Sequence, residues 1–289
     1  MNILMLGGTR FFGTYTVNEL LAKGHEVTIA TRGLSKDSFA DKVKRVKYDR
    51  SDCESVKNIL SGNYYDIIID KIAYASNDIK TVLDYACCGR YVQMSSTAVY
   101  TPFHLNLLET DFNPLKNELV WGNRDDFDYS EGKRQAEYAM AQCYGDKKML
   151  SVRYPVVLGK DDYTKRLEFY VEHILKEKPM YIDNMDCQMS FINSREAGEF
   201  MAYISTSDIT GAINGASRGT VSIREIINYV EKKCGRQAIL SHDGDAAPYN
   251  GTPEFSINTE KANKLGFTFS NINDWVYELL DYYIEGESC

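Results

Sequence analysis

The stretch Asn2-Ile3-Leu4-Met5-Leu6-Gly7-Gly8-Thr9-Arg10-Phe11-Phe12-Gly13 decides the fold. A short apolar run of strand length leads directly into a glycine turn. Beyond it Val17, Leu20 and Leu21 share one face of a helical pattern that stops at Gly24, a favoured residue just past a helix end. A strand that turns at once into a helix aims free backbone N–H groups and the positive end of the helix dipole at one point, which suits a diphosphate. Gly7 permits the tight turn, and Gly13 lets the helix approach the sheet. The middle position, where glycine would let the backbone approach phosphate, is Arg10.

Working outward, the first half alternates β-branched runs with helical patterns, the mark of stacked βαβ units on a parallel sheet. Strands are expected at 2–6, 26–31, 43–48, 66–70, 90–95 and 149–154, with helices near 12–23, 53–60, 78–87 and 129–144. Past residue 155 the pattern shifts to helices near 165–176, 195–204, 222–234 and 272–284, joined by short strands and loops such as Asp243–Pro253. The expected architecture is an α/β, Rossmann-type doubly wound parallel sheet with a smaller α+β C-terminal substrate domain. The division falls at residues 1–158 and 159–289, partly intertwined. The stretch 101–127 is long for a strand-to-helix connection and reads as a functional or covering loop.

Composition bounds the function. The 289 residues carry 33 Lys and Arg against 41 Asp and Glu, a net charge of −8, which argues against nucleic acid as a partner, since phosphate contacts need clustered cations. The seven cysteines have no CxxC spacing and are expected to be small buried thiols in a reducing compartment. The four histidines show no ligand spacing, so no metal site is expected. No apolar run reaches the 18 residues of a membrane span, and the start reaches Gly7 before a signal-peptide apolar stretch could form. These features fit a soluble, cytoplasmic protein.

Two further segments carry chemistry. The second strand ends at Ala30-Thr31-Arg32-Gly33, where an NAD-preferring site has a carboxylate for the ribose 2′-hydroxyl. Arg32, with Arg10, could instead take a 2′-phosphate through its planar fork, which tilts the choice between NAD and NADP toward NADP. Tyr129-Ser130-Glu131-Gly132-Lys133 opens a helix, so Tyr129 and Lys133 share a face. A nearby cation makes a tyrosine a usable acid and base. The same spacing recurs at Tyr144/Lys148 and Tyr229/Lys233, but only Tyr129 follows a strand-end serine cluster, Ser95-Ser96-Thr97-Ala98-Val99-Tyr100.

These motifs together resemble the extended short-chain dehydrogenases/reductases of the NAD-dependent epimerase/dehydratase family over nearly the whole chain. Within it, Gly7–Gly13 and the run Gly159–Arg166 are most similar to an atypical subgroup that includes the chloroplast stem-loop RNA-binding proteins. The resemblance implies a nucleotide turn at Gly7, Thr9, Arg10, Phe11, Phe12 and Gly13, an adenine contact at Asp49-Arg50 and a phosphate-side segment at Ile72-Ala73-Tyr74. Arg153-Tyr154-Pro155-Val156-Val157-Leu158-Gly159 resembles the family's sixth-strand segment, which implies cofactor contacts at Tyr154, Pro155 and Val157. Ser96 takes the catalytic hydroxyl position, with Thr97 as its fallback. Tyr129 and Lys133 complete the set, with Lys133 also holding the cofactor ribose and lowering the tyrosine pKa.

The implied activity is an NAD(P)-dependent epimerase or reductase on a nucleotide sugar or similar hydroxylated metabolite. Thr97-Ala98 stands where dehydratases of the family carry an Asp–Glu pair, which counts against dehydration. Tyr163, Arg166, Tyr170, Arg195 and Arg218 are candidates for the substrate. The resemblance also implies a homodimer through the helix of Tyr129. Alternatives on the same fold are an RNA-binding protein and a dinucleotide-sensing regulator without catalysis.

Overall fold

The computed structural model describes residues 1–287. Its main sheet has seven strands, all parallel: β1 (Asn2–Leu6), β2 (Glu26–Thr31), β3 (Lys44–Lys47), β4 (Tyr64–Asp70), β5 (Cys87–Ser96), β6 (Met149–Tyr154) and β10 (Gly211–Asn214). The spatial order is β10-β6-β5-β4-β1-β2-β3, so the winding reverses between β1 and β4. In open α/β sheets ligands bind outside the carboxyl ends of the strands at such a reversal. The doubly wound expectation is borne out.

Strand β1 explains why the sheet is covered on both sides. Ile3, Leu4, Met5 and Leu6 are all fully buried, as a parallel strand between helical layers requires. Ile3 and Met5 pack with Phe12, Val17 and Leu20 of α1 (Phe12–Ala22) and with Phe200 and Ile204 of α6 (Ser194–Ser205). Leu4 and Leu6 face the other way, toward Val56 and Leu60 of α2 (Cys53–Leu60), Ile79 and Val82 of α3 (Ser76–Leu83), and Ala136 and Met140 of α4 (Tyr129–Cys143). This is the two-residue period of a strand expressed as two cores.

A third core gathers α5 (Arg166–Leu175), α7 (Ile223–Cys234) and α9 (Val276–Glu287) through Tyr170, Ile174, Ile226, Val230, Leu279 and Leu280. Short strands β7 (Val156–Leu158) and β9 (Phe191–Asn193) pair in parallel. In the same half of the chain β8 (Pro179–Tyr181) is flanked by β11 (Ile239–Leu240) and β12 (Asp245–Ala246), and α8 (Glu260–Lys264) completes the elements. Val99, Tyr100, Leu107 and Phe112 of the long 101–127 region and its flank belong to this third core, whereas α6 and β10 return to the main sheet. We propose to keep the division near residue 158 as one between cores, with these two crossings.

Two expectations are corrected. The helix expected at 78–87 runs only over Ser76–Leu83, because Cys87 and Cys88 pair with Tyr64 and Tyr65 and extend β5 backwards. The cysteines are free but not buried. Cys53, Cys87 and Cys143 are exposed, and Cys88, Cys187 and Cys234 half-buried. Cys53 opens α2, Cys143 and Cys234 close α4 and α7, and Cys87 opens β5. Ends of elements face water even where the local sequence is apolar. Cys289 lies outside the described residues.

Helices α1 and α6 can touch because of Gly198. A Cβ there would lie 2.4 Å from the Tyr15 Cβ, 2.6 Å from the Phe12 carbonyl oxygen and 2.8 Å from the Thr16 nitrogen. Gly198→Ala is expected to destabilise the fold by ~1–3 kcal/mol, the usual cost of overpacking. A lowered urea midpoint at unchanged slope would confirm it.

Candidate active site

At the β1/β4 reversal the glycine turn takes the form its sequence demands. Gly7 and Gly8 have φ of 95° and 100°, a region open to glycine but strained for other residues. A Cβ on Gly13 would meet the Gly8 Cα at 2.8 Å, so the start of α1 lies directly on the turn. Phe11 precedes the helix at φ 56° with no side-chain cap. The backbone N–H groups of Thr9, Arg10 and Phe11 donate to no other described residue. Unsatisfied donors at a helix start, beside glycines that leave room, form a cradle for a diphosphate. Arg10 is exposed, and its guanidinium lies 5.9 Å from the Tyr163 ring centroid.

Two strands further, β5 carries Ser95 and Ser96 to the same edge, and strand alternation separates their roles. Ser95 donates to Glu137 of α4 at 2.6 Å and is consumed inside the fold. Ser96 faces the Tyr129 hydroxyl and also accepts from the Ala98 N–H at 3.2 Å. Asp128 caps α4 by accepting from the Glu131 N–H at 2.8 Å, which fixes Tyr129 as the first helical residue. The Tyr129 ring is half-exposed, while its hydroxyl points inward to Ser96. Burial pushes the hydroxyl above its ordinary pKa; Ser96, Arg166 and Arg124 act in the lowering direction.

Lys133 is fully buried, and its Nζ donates to the Ala73 carbonyl at 2.7 Å and the Met94 carbonyl at 2.9 Å. Burial pulls its pKa down to about 8. The Tyr74 ring covers it, with the centroid 4.6 Å from Nζ, and the Tyr74 and Tyr129 ring centroids lie 6.3 Å apart. Arg124 also packs on Tyr74, 4.2 Å from the ring centroid. The Lys133 Nζ also lies 5.9 Å from the Tyr129 ring centroid, on the helix face that the spacing of the two residues predicts.

The other implied cofactor contacts distribute unevenly. Arg32 is exposed just past β2, and its field helps hold the Asp49 carboxyl low, behind the hydrogen bonds from Ser51. Arg50 turns inward: its guanidinium donates to both Asp70 carboxylate oxygens at 2.7 and 2.6 Å and to the Asp78 carbonyl at 2.9 Å. The guanidinium is thus committed to the fold, which leaves the Arg50 backbone and Asp49 to serve the adenine contact that the resemblance implies. Ala73 is fully buried, and its carbonyl is taken by Lys133. The Tyr154 hydroxyl donates to the Ala197 carbonyl at 2.7 Å and its ring packs on Phe12, so its side chain belongs to the α1–α6 core. Pro155 is buried, and Ile72 and Val157 are half-buried.

Three features escaped sequence reasoning. Arg153 and Glu137 form a buried ion pair at 2.6 Å, extended by Arg153 to the Tyr100 hydroxyl and by Tyr100 to Asn214. The pairing of Arg153 on a strand with a glutamate eight residues past Tyr129 was the available signal. Arg124 ends the long loop just before the helix, a position with meaning only once that loop has folded over Tyr74. Lys71, directly after β4, donates its ammonium to the Arg10 carbonyl at 2.8 Å and so reaches the glycine turn.

Comparison with known proteins agrees with this geometry. Residues 3–86 match the NAD dependent epimerase/dehydratase family, so the resemblance read from the motifs is borne out there. The chain is 28% identical over 202 residues to the chloroplast stem-loop binding protein of 41 kDa b of Arabidopsis thaliana, a match that covers 65% of this chain; the chain spans about half the length of that curated relative. The UDP-glucose 4-epimerase of Thermus thermophilus, solved with NAD, superposes with a TM-score of 0.69 at 19% identity, over 98% of this chain and 99% of that one. Thermotoga maritima UDP-glucose 4-epimerase, solved with UDP-glucose, gives 0.76 at 15% identity over 99% of both. At these identities the likeness establishes the fold. No helix among the described residues is long and apolar enough to cross a membrane.

The buried pair yields a prediction. Arg153→Met leaves Glu137 charged with only Ser95 as partner, and breaking a buried pair on one side costs ~3–5 kcal/mol. Chemical denaturation should show a loss of that size, much of it recovered when Glu137 is also made apolar.

Proposed function

We propose that the chain binds a nicotinamide dinucleotide across the glycine turn and acts as an epimerase or reductase on a nucleotide sugar or similar hydroxylated metabolite. The observation that supports this best is the approach of the Ser96 hydroxyl to the Tyr129 hydroxyl, on the helix face that also carries Lys133. The bound nicotinamide would supply a hydride acceptor or donor. Tyr129 exchanges a proton with the substrate hydroxyl, and Ser96 hydrogen-bonds the same oxygen. Lys133, with two of its three donors held by carbonyls, has one left for the cofactor ribose. Free N–H groups at Thr9, Arg10 and Phe11 hold the diphosphate.

Retained NAD favours epimerisation and an exchangeable NADP favours reduction; Arg32, exposed at the end of β2 where a carboxylate would select NAD, leans toward NADP. A homodimer through α4 is part of the same reading. RNA binding, prompted by the stem-loop binding relative, is the second reading, and the net charge of −8 weighs against it.

Tyr129→Phe should lower turnover about 10²- to 10⁴-fold, the usual worth of a positioned acid–base group. Ser96→Ala should also lose turnover, whereas Ser95→Ala should chiefly lose stability. Undiminished turnover of Tyr129→Phe on a nucleotide-sugar panel would overturn the mechanism. For the cofactor, Arg32→Asp is expected to weaken NADP about 10- to 100-fold, the worth of a charged hydrogen bond, while NAD affinity holds or rises. Titration calorimetry with both dinucleotides reads this directly.

A further inference from the structure

Lys71 occupies an unusual electrostatic position. Its stem lies over the glycine turn, where a Cβ on Gly13 would meet the Lys71 Cδ at 3.2 Å and one on Gly7 its Cβ at 3.6 Å. Its ammonium donates to the Arg10 carbonyl and sits 4.2 Å from the Phe12 ring centroid, beside the first residue of α1. The start of a helix carries a partial positive charge, so a cation there is repelled unless an anion joins it.

No carboxylate among the described residues forms an ion pair with Lys71. Asp70, its neighbour in sequence, faces the other way and is consumed by Arg50 and Tyr91. The first turn of α1 holds no acidic residue. Asp161, beyond β7, is the acid whose field reaches Lys71, and it also accepts from Ser194 and faces Tyr15. The remaining charge nearby is Arg10, another cation. Burial draws the Lys71 pKa down to about 8 against the opposing pull of Asp161, as expected of an ammonium without a close ion-pair partner. Two cations and three free N–H groups surround this space, and Asp161, whose field reaches Lys71, forms no ion pair with it.

We propose that Lys71 is a diphosphate-contacting residue of the dinucleotide site, its ammonium adding from the end of β4 a charged contact beside the free N–H groups of the turn. This inference rests on the dinucleotide-binding reading above. When a diphosphate binds, the ammonium gains a counter-ion, so affinity should fall as the pH rises through about 8 and Lys71 loses its proton. Lys133 also titrates near pH 8, so the variant must separate the two.

The experiment is calorimetric titration of the full chain and of Lys71→Gln and Lys71→Arg with NAD and NADP from about pH 6.5 to about 9.5, a range that brackets the lysine titration. Lys71→Gln should weaken the better dinucleotide about 10- to 100-fold near neutral pH and flatten its pH dependence, and Lys71→Arg should restore most of the affinity. Dinucleotide affinity of Lys71→Gln within twofold of the unaltered chain, or above it, overturns the role of Lys71 and leaves the dinucleotide reading standing. The same holds if the pH dependence persists in Lys71→Gln, since Lys133 would then carry it. Failure of the unaltered chain to bind either dinucleotide overturns the reading and this inference with it. Should Lys71→Gln not fold, proton uptake on binding just above the Lys71 pKa, read from buffers of different ionisation enthalpy, is compared between the unaltered chain and Lys71→Arg, whose guanidinium does not titrate there: uptake lost in Lys71→Arg with affinity retained supports the role, and uptake that persists in Lys71→Arg, or is absent from the unaltered chain, overturns it.

Discussion

A single buried ammonium joins the elements on which the candidate site depends. Lys133 reaches from α4 to the carbonyl of Ala73, beyond β4, and to that of Met94, within β5. Three elements distant in sequence are thereby held at one depth. Next to it, Gly132 lets α4 lie against the 73–75 segment, where a Cβ would come within 2.6 Å of the Tyr74 carbonyl oxygen. Tyr129 is one turn before Lys133, so its height above the sheet follows from where that ammonium is anchored. A buried cation without a carboxylate is expensive, and its lowered pKa records the cost of that placement. Such a group is retained for position more than for stability.

Two ion pairs flank this anchor in the layer between the sheet and α4. On the β4 side Arg50 and Tyr91 close on Asp70; on the β6 side Arg153 and Ser95 close on Glu137. Buried pairs of this kind contribute little net stability against an apolar substitute of the same size, yet breaking one costs several kcal/mol. Their effect is to make alternative registers of β4, β5 and β6 against α4 expensive. Ser95 is locked by one of these pairs, and the alternation of the strand then turns Ser96 toward Tyr129.

How far the site could be read from sequence follows from what kind of signal each residue carries. The glycine turn, the Tyr129–Lys133 spacing and the serine cluster are local patterns, and local geometry decides their meaning. Ser96 is set apart from Ser95 in the sequence by the family resemblance alone; in the fold Ser95 is taken by Glu137. Arg50 could not be placed, because a guanidinium near the expected adenine side reaches equally well into Asp70, and only the folded position of β4 decides. Arg124 and Lys71 belong to no pattern at all; each gains a role by meeting a distant element, Tyr74 in one case and the Arg10 carbonyl in the other. The helix end at Leu83 is illegible because the run through Cys88 satisfies both helical and strand periods, and pairing with Tyr64 and Tyr65 settles it.

The acidity of Tyr129 brings the two halves of the chain together. Burial raises its hydroxyl, which works against proton exchange near neutral pH. The opposing influences come from three places: Ser96 on β5, Arg124 at the end of the long loop and Arg166 at the start of α5. Only the first belongs to the sheet. Arg166 stands on an element whose buried face belongs to the C-terminal core, together with Leu167 and Tyr170. A displacement of α5 relative to the sheet would therefore alter the field at the phenol without touching the Ser96–Tyr129 approach. Lys133, tied to two carbonyls, cannot follow such a displacement. Under the proposed mechanism the sheet would set where the proton is exchanged, and the loop and the C-terminal core how readily Tyr129 gives it up.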